Sequence, residues 1–266
     1  MALSTVESLA EFPPLPDVEL IETDGEPLES EWHRMAMNLL IEVVTYHLHQ
    51  RNDFYVGGNM FIYFSTVQAR NRDFRGPDFF FVEGVNREPM RPYWAVWLEG
   101  GRYPDVIVEI LSPRTATEDR TTKKNIYEQV FRTAEYYCYD PETQQLEGWQ
   151  LHGGRYQPLT PNAHGWLWCD RLQLWLGTWT GAFLMYQAIW LRFYDAQEQI
   201  IPIFAEAAQQ QAEAEHQQAE AEHQQAEAEH QRAEAERQRA EAAEAELARL
   251  RARLAQVEDR THRTET

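Results

Sequence analysis

The stretch RYPDVIVEILSPRTATEDRTTKKNIYEQVF, residues 102–131, reads as a buried strand followed by a helix, and the fold turns on it. DVIVEILS is a short apolar run of strand length, bounded by proline on both sides. One carboxylate, Glu109, sits in the middle of that run, where a charge must be compensated by a partner. Beyond it, Asp119, Lys123 and Tyr127 recur every four residues. A helix from about Thr117 to Phe131 would present this acid, cation and phenol on one face.

Working outward, ESEWHRMAMNLLIEVVTYHLHQ carries Trp32, Met35, Leu39, Leu40, Val43, Tyr46 and His47 at three and four spacing. This predicts an amphipathic helix, with Ser30 as its cap. FYVGGNMFIYFS gives strand material with a glycine break, PDFFFVEGV a second strand, YWAVWLE a third and DVIVEILS a fourth. After the 117–131 helix, AEYYCYD and QQLEGWQL read as strands joined across PETQ, and GGRYQPLTP continues the hairpin pattern. A helix, several strands, a helix and more strands predict an α/β or α+β sandwich over residues 19–203.

The segments on either side differ in kind. Residues 1–18 lack the basic start and continuous apolar stretch of a signal peptide and read as a flexible arm. No apolar block approaches the ~18 residues that a membrane helix needs. From Gln209 the text becomes Ala, Glu, Gln, His and Arg, with AEAEHQQ repeated from Ala212, Ala219 and Ala226. This predicts a long helix over 204–258, followed by a disordered tail over 259–266. In the heptad frame with Leu247 and Leu254 at a, Leu250 and Val257 fall at d. The earlier heptads place Ala at a but Glu215, Glu222, Glu229 and Glu236 at d, so a coiled coil and a solvated Ala/Glu helix both remain open. His216, His223 and His230 stand roughly 10 Å apart along the axis, too far to share a metal within one chain.

Charge and cysteine content narrow the function. The 266-residue chain has a formal net charge of −19, which argues against generalised affinity for nucleic acid. Part of that charge lies in the tail, where residues 212–246 hold eleven Glu against three Arg. Cys138 and Cys169 have neither metal-ligand nor disulfide-framework spacing, which fits a reducing compartment, the cytoplasm.

Metal chemistry requires carboxylates that converge from different elements. Asp105 and Glu109 share a strand face, but their α-carbons lie roughly 13 Å apart, so Asp105 serves the start of its strand instead. Asp78 opens the neighbouring strand in RGPDFFFV and could meet Glu109 around Mg²⁺ if the two strands pair in register. A lysine brought to the same cleft would orient a water and offset phosphate charge. The simpler readings are a structural Glu109 paired with Lys123 or an arginine, an ordinary Asp119–Lys123 helix pair, and a Tyr127 that packs. Trp149, Trp166, Trp168, Trp175 and Trp179 read as packing residues rather than a stacking platform for bases. GGNM at Gly57 lacks the lysine and following helix of a phosphate loop.

RGPDFFFV, PDVIVEILSPRTATEDRTTKKNIYEQVF and EYYCYDPETQQLEGWQL together resemble the Uma-two family of restriction endonucleases, within the PD-(D/E)xK nuclease superfamily. The resemblance covers about Asp24 to Leu176 and is most specific from Pro104 to Pro141. It implies an α/β, restriction-endonuclease-like core, a mixed sheet flanked by helices with a divalent metal held by acids at one edge. It matches Asp78 to the superfamily's first aspartate and Glu109 to the acid of the second half-motif. The superfamily's lysine would stand two residues later, where this chain has Leu111. The Uma-two pattern of acid, lysine and tyrosine at four spacing instead matches Asp119, Lys123 and Tyr127, so the resemblance assigns the cation to Lys123, with Lys124 as the fallback. Glu29 and His33 lie where related nucleases add another acidic or polar group, although a cap or surface role is the simpler reading of both.

The expectation is a cytoplasmic DNA endonuclease dependent on Mg²⁺, or Mn²⁺ in its place, with Asp78 and Glu109 as ligands and a homodimer assisted by the C-terminal helix. The alternative is a nuclease-derived scaffold that associates through that helix and no longer cuts.

Overall fold

The computed structural model describes Leu20, residues 30–71 and residues 75–264; the arm expected over residues 1–18 lies outside them. Helix α1 (Glu31–His47) leads to β1 (Phe54–Gly57), β2 (Ile62–Tyr63), α2 (Thr66–Arg70), β3 (Phe79–Glu83), β4 (Trp94–Ala95) and β5 (Val106–Ile110). A helical crossover, residues 116–131, feeds β6 (Glu135–Asp140), β7 (Gln145–His152) and β8 (Arg155–Pro158). Then β9 (Leu167–Cys169), β10 (Leu174–Phe183) and β11 (Tyr186–Tyr194) precede a C-terminal helix, Phe204–Thr264.

The main sheet has the order β1-β3-β5-β6-β7-β8. Its neighbours are antiparallel except β5 and β6, which pair in parallel from Val106↔Glu135 to Ile110↔Tyr139. A parallel pair cannot be closed by a tight turn, so the chain must travel back across a face of the sheet, and residues 116–131 do so as helix. Strands β11, β10 and β9 form a second, antiparallel sheet, while β2 and β4 make a two-stranded parallel ribbon.

Apolar side chains cover both faces of the main sheet. On one, Leu39, Leu40, Val43 and Val44 of α1 pack with Phe79, Phe81, Val106, Val108, Ile110 and Tyr139, and with Trp190, Leu191 and Phe193 of β11. On the other, Phe80, Val82, Ile107, Leu111, Tyr136 and Cys138 meet Tyr127 and Phe131 of the crossover. Strand β5 thus sends alternate residues into two dry layers, which is why its sequence reads as an unbroken apolar run. Glu109 takes its turn toward the crossover layer.

Local signals act where they were expected in α1, whose N-terminal Ser30 hydroxyl accepts from the His33 amide at 3.1 Å. Two other expectations change. YWAVWLE keeps only Trp94–Ala95 as strand and pairs away from the main sheet, because the Leu98 amide turns back to the Ala95 carbonyl at 2.8 Å. FYVGGNMFIYFS divides at Gly58 between two different sheets. Among the tryptophans, Trp166 stacks on Tyr194 with centroids 3.9 Å apart, and Trp149 stacks on Tyr136.

The chain divides after Phe204 into two units. In the second, the helix continues past residue 258, where the sequence reading ends it. From residue 208 onward its described side chains are exposed, Leu247 and Leu250 among them, with four-apart pairs such as Arg237 to Glu241 at 2.9 Å. Among the described residues, no helix is long and apolar enough to cross a membrane.

Candidate active site

Strand register brings the two predicted carboxylates together. Phe79 lies across from Val108 in the antiparallel β3–β5 pair, which sets Asp78 against Glu109 at the next step. The backbone then locks both side chains: Asp78 Oδ2 accepts from the Ile110 amide at 2.7 Å, and the Asp78 amide approaches Glu109 Oε2 at 3.4 Å. Asp105, by contrast, accepts from the Glu83 amide at 2.8 Å and serves the start of its strand, as its distance from Glu109 implies.

The crossover supplies the compensating cation. Lys123 Nζ lies 2.6 Å from Asp119 Oδ1 and 3.2 Å from Glu109 Oε1. Tyr127 donates its hydroxyl to Glu109 Oε1 at 2.9 Å. Two wide π-helical turns, Asp119–Lys123 and Tyr127–Phe131, are set into this segment. Such turns recur at functional sites because they re-aim side chains without ending the helix. Arg132, in the left-handed conformation at φ 55°, ends the segment.

The sequence reading missed three features. Tyr127 is packed in the core as expected, but its hydroxyl also orients Glu109. His33 is buried rather than a surface residue, and its Nε2 lies 2.6 Å from Asp78 Oδ1. A carboxylate oxygen can only accept, so the ring proton belongs on Nε2. Gly58, set aside with the phosphate-loop reading, lets the chain pass against Asp78: a Cβ there would lie 2.1 Å from the Asp78 carbonyl oxygen. The remaining candidates lie elsewhere. Lys124 Nζ sits over the Trp149 ring, 3.7 Å from its centroid. Leu111, at the superfamily's lysine position, is buried in the crossover layer. Glu29 lies outside the described residues.

The electrostatics follow from this crowding. Burial pushes the Glu109 carboxyl up to about 8; Lys123 pulls it down, Asp78 and Asp119 push it further up, and the Tyr127 hydrogen bond opposes them. Burial likewise raises Asp119 against the pull of Lys123. Lys123 is raised as well: burial alone would lower it, but Glu109 and Asp119 more than offset that, so it stays protonated. Three carboxyl groups therefore crowd around one fixed ammonium, and a divalent cation would take the place of the proton that burial favours on Glu109. Among the described residues, no three His, Cys, Asp or Glu side chains form a ready-made cage.

The profile of the family described as Uma2, putative restriction endonuclease, matches residues 4–178. Among solved structures, the chain is similar to a protein from Anabaena variabilis described as a putative nuclease belonging to DUF820. That similarity has a TM-score of 0.39 and 15% identity, and it covers 53% of this chain and 77% of the other. No curated protein matches the chain. With well over half of its length answering to the family profile, the chain belongs to the Uma2 family.

Proposed function

We propose that the chain is a cytoplasmic, metal-dependent DNA endonuclease that hydrolyses phosphodiester bonds. The observation that carries this reading is the opposition of Asp78 and Glu109 across β3 and β5, with the Lys123 ammonium 3.2 Å from Glu109. Asp78 and Glu109 would hold Mg²⁺, or Mn²⁺ in its place, through oxygens of the kind that hard cations prefer. The ion, when bound, supplies Lewis-acid polarisation of the phosphate and a lowered pKa for its water.

The protein's own groups do the rest. Lys123 remains charged and cannot serve as a base; it donates to a phosphate oxygen or to the attacking water and offsets charge that builds in the transition state. Asp119 anchors that ammonium from one side, and Tyr127 holds Glu109 in a single orientation. His33 and the Ile110 amide together hold the Asp78 carboxylate. A site whose ligands are fixed by such contacts needs little reorganisation when substrate arrives.

The rival reading, a scaffold that no longer cuts, draws on the net charge of −19. Incubation of the purified full chain with plasmid and linear DNA across Mg²⁺ and Mn²⁺ separates the two. Cleavage should require metal and fall by about a hundredfold or more in Glu109→Gln and in Lys123→Ala. Cutting that Glu109→Gln leaves unchanged would sink the assignment.

A further inference from the structure

At the end of the main sheet where the carboxylates stand, but on its α1 face, lies a second feature that metal-dependent hydrolysis does not use. An open cleft of about 380 Å³ is lined by Trp32, Pro141, Glu142, Gln144 and Ile189. We propose that it binds one unpaired nucleobase of the substrate strand, next to the scissile phosphate; this inference rests on the nuclease reading above.

Position supports the inference first. Trp32 and His33 are consecutive in the first turn of α1, and His33 reaches Asp78. Residues 141–144 follow β6 at Asp140, while β5 ends alongside at Ile110, whose amide binds Asp78. Because β5 and β6 run in parallel, with Ile110 opposite Tyr139, the carboxylate pair and the cleft share one end of the sheet, Glu109 on the crossover face and the cleft on the α1 face, so a strand passing over that end can meet both.

The chemistry of the walls agrees. Trp32 lies nearly parallel to Trp190, at 4° with centroids 5.6 Å apart, so the half-buried indole is a rigid, flat surface. A flat indole accepts the π-face of any base. Exposed Glu142 and Gln144 give the rim an acceptor and an amide. A carboxylate accepts from an exocyclic amino group such as cytosine N4. It also repels a phosphate, so this rim selects a base over the backbone. Behind the wall, Tyr139 lies 6.5 Å from the Trp32 ring, and its buried hydroxyl has no hydrogen-bond partner among the described residues. At 380 Å³ the cleft lies at the small end of ligand pockets, which run from about 300 to 1,000 Å³. That suits one base rather than a duplex.

The test uses the full chain carrying Glu109→Gln and short fluorescent single strands in which one abasic nucleotide is moved along the sequence. Anisotropy should show an affinity loss of about tenfold at one position and little elsewhere. Adding Trp32→Leu should erase that positional penalty. Glu142→Ala, at an exposed site that leaves the core untouched, should reduce it for cytosine more than for thymine. Equal affinities at every abasic position, or a penalty that both variants leave intact, would overturn the cleft. Cleavage assays on the unmutated chain keep the two ideas apart. Metal-dependent cutting without a positional penalty removes the cleft alone, whereas a penalty without cutting retains the cleft and removes the nuclease reading.

Discussion

Glu109 faces Lys123 and Tyr127 in the dry layer beneath the crossover, and its protonation should be visible in the stability of the fold. Its carboxyl is raised to about 8 in the folded chain, against an ordinary value near 4.5. Below the ordinary value both states hold the proton, and stability is at its fullest. Between the two values the folded chain keeps a proton that the unfolded chain has lost, so stability falls as pH rises, by at most about 1.4 kcal/mol per unit. Above about 8 the slope from this group ends. Thermal midpoints measured without divalent metal from pH 5 to 9 should therefore decline more steeply in the unmutated chain than in Glu109→Gln. A difference between the two profiles that does not vary with pH would contradict the burial assigned to this carboxyl. Added Mg²⁺ should recover more of the midpoint at pH 9 than at pH 6, since the cation and the proton compete for the same oxygens. The residue types of this network could be read from the sequence, because an acid within an apolar run and a four-spaced acid, lysine and tyrosine are patterns along the chain. The contact between His33 and Asp78 could not, because 45 residues separate them and only the packing of α1 brings them together.

Among the elements, the turn after β1 acts on the site at a distance in sequence. Gly58 leaves room for the Asp78 carbonyl, and the neighbouring Asn59 amide donates to the Pro77 carbonyl at 2.8 Å. Gly58→Ala would force backbone against backbone, where no side-chain rotation relieves the contact. Asp78 should shift, and metal affinity measured by calorimetry should fall about tenfold or more. An unchanged affinity would mean that the turn yields without moving Asp78. The glycine break itself is plain in the sequence, but its purpose depends on which strand lies opposite. The same limit explains YWAVWLE, whose composition suits a strand while its pairing is decided by the backbone turn at Ala95–Leu98. Residues 116–131 were legible as helix, yet their wide turns contain no Gly or Pro that would mark them in the sequence.

For the whole molecule, the open question is association. The homodimer expected from the sequence would draw on Leu247 and Leu250, which stand about half exposed in the single chain at heptad a-to-d spacing. Sedimentation of the full chain and of a chain ending at Ile203 should show the mass of two copies for the first and one for the second. Equal association in both would move the interface off the helix. Salt offers a second view of the same acidic molecule: neutralising few phosphates, it should lose DNA affinity with ionic strength less steeply than a basic DNA-binding protein does.

The parallel pairing of β5 and β6 has a further consequence. Their return connection must begin at the end of β5 that carries Glu109 and pass over the face toward which Glu109 points. A cation placed on the first turns of that connection is therefore delivered to the carboxylate by chain path alone, whether or not the strand itself carries a lysine. Topology leaves the address of the cation free along the connection while tying the two carboxylates to their strands. On the proposed function, a lysine missing at Leu111 is replaced by one that reaches the same carboxylate by another route.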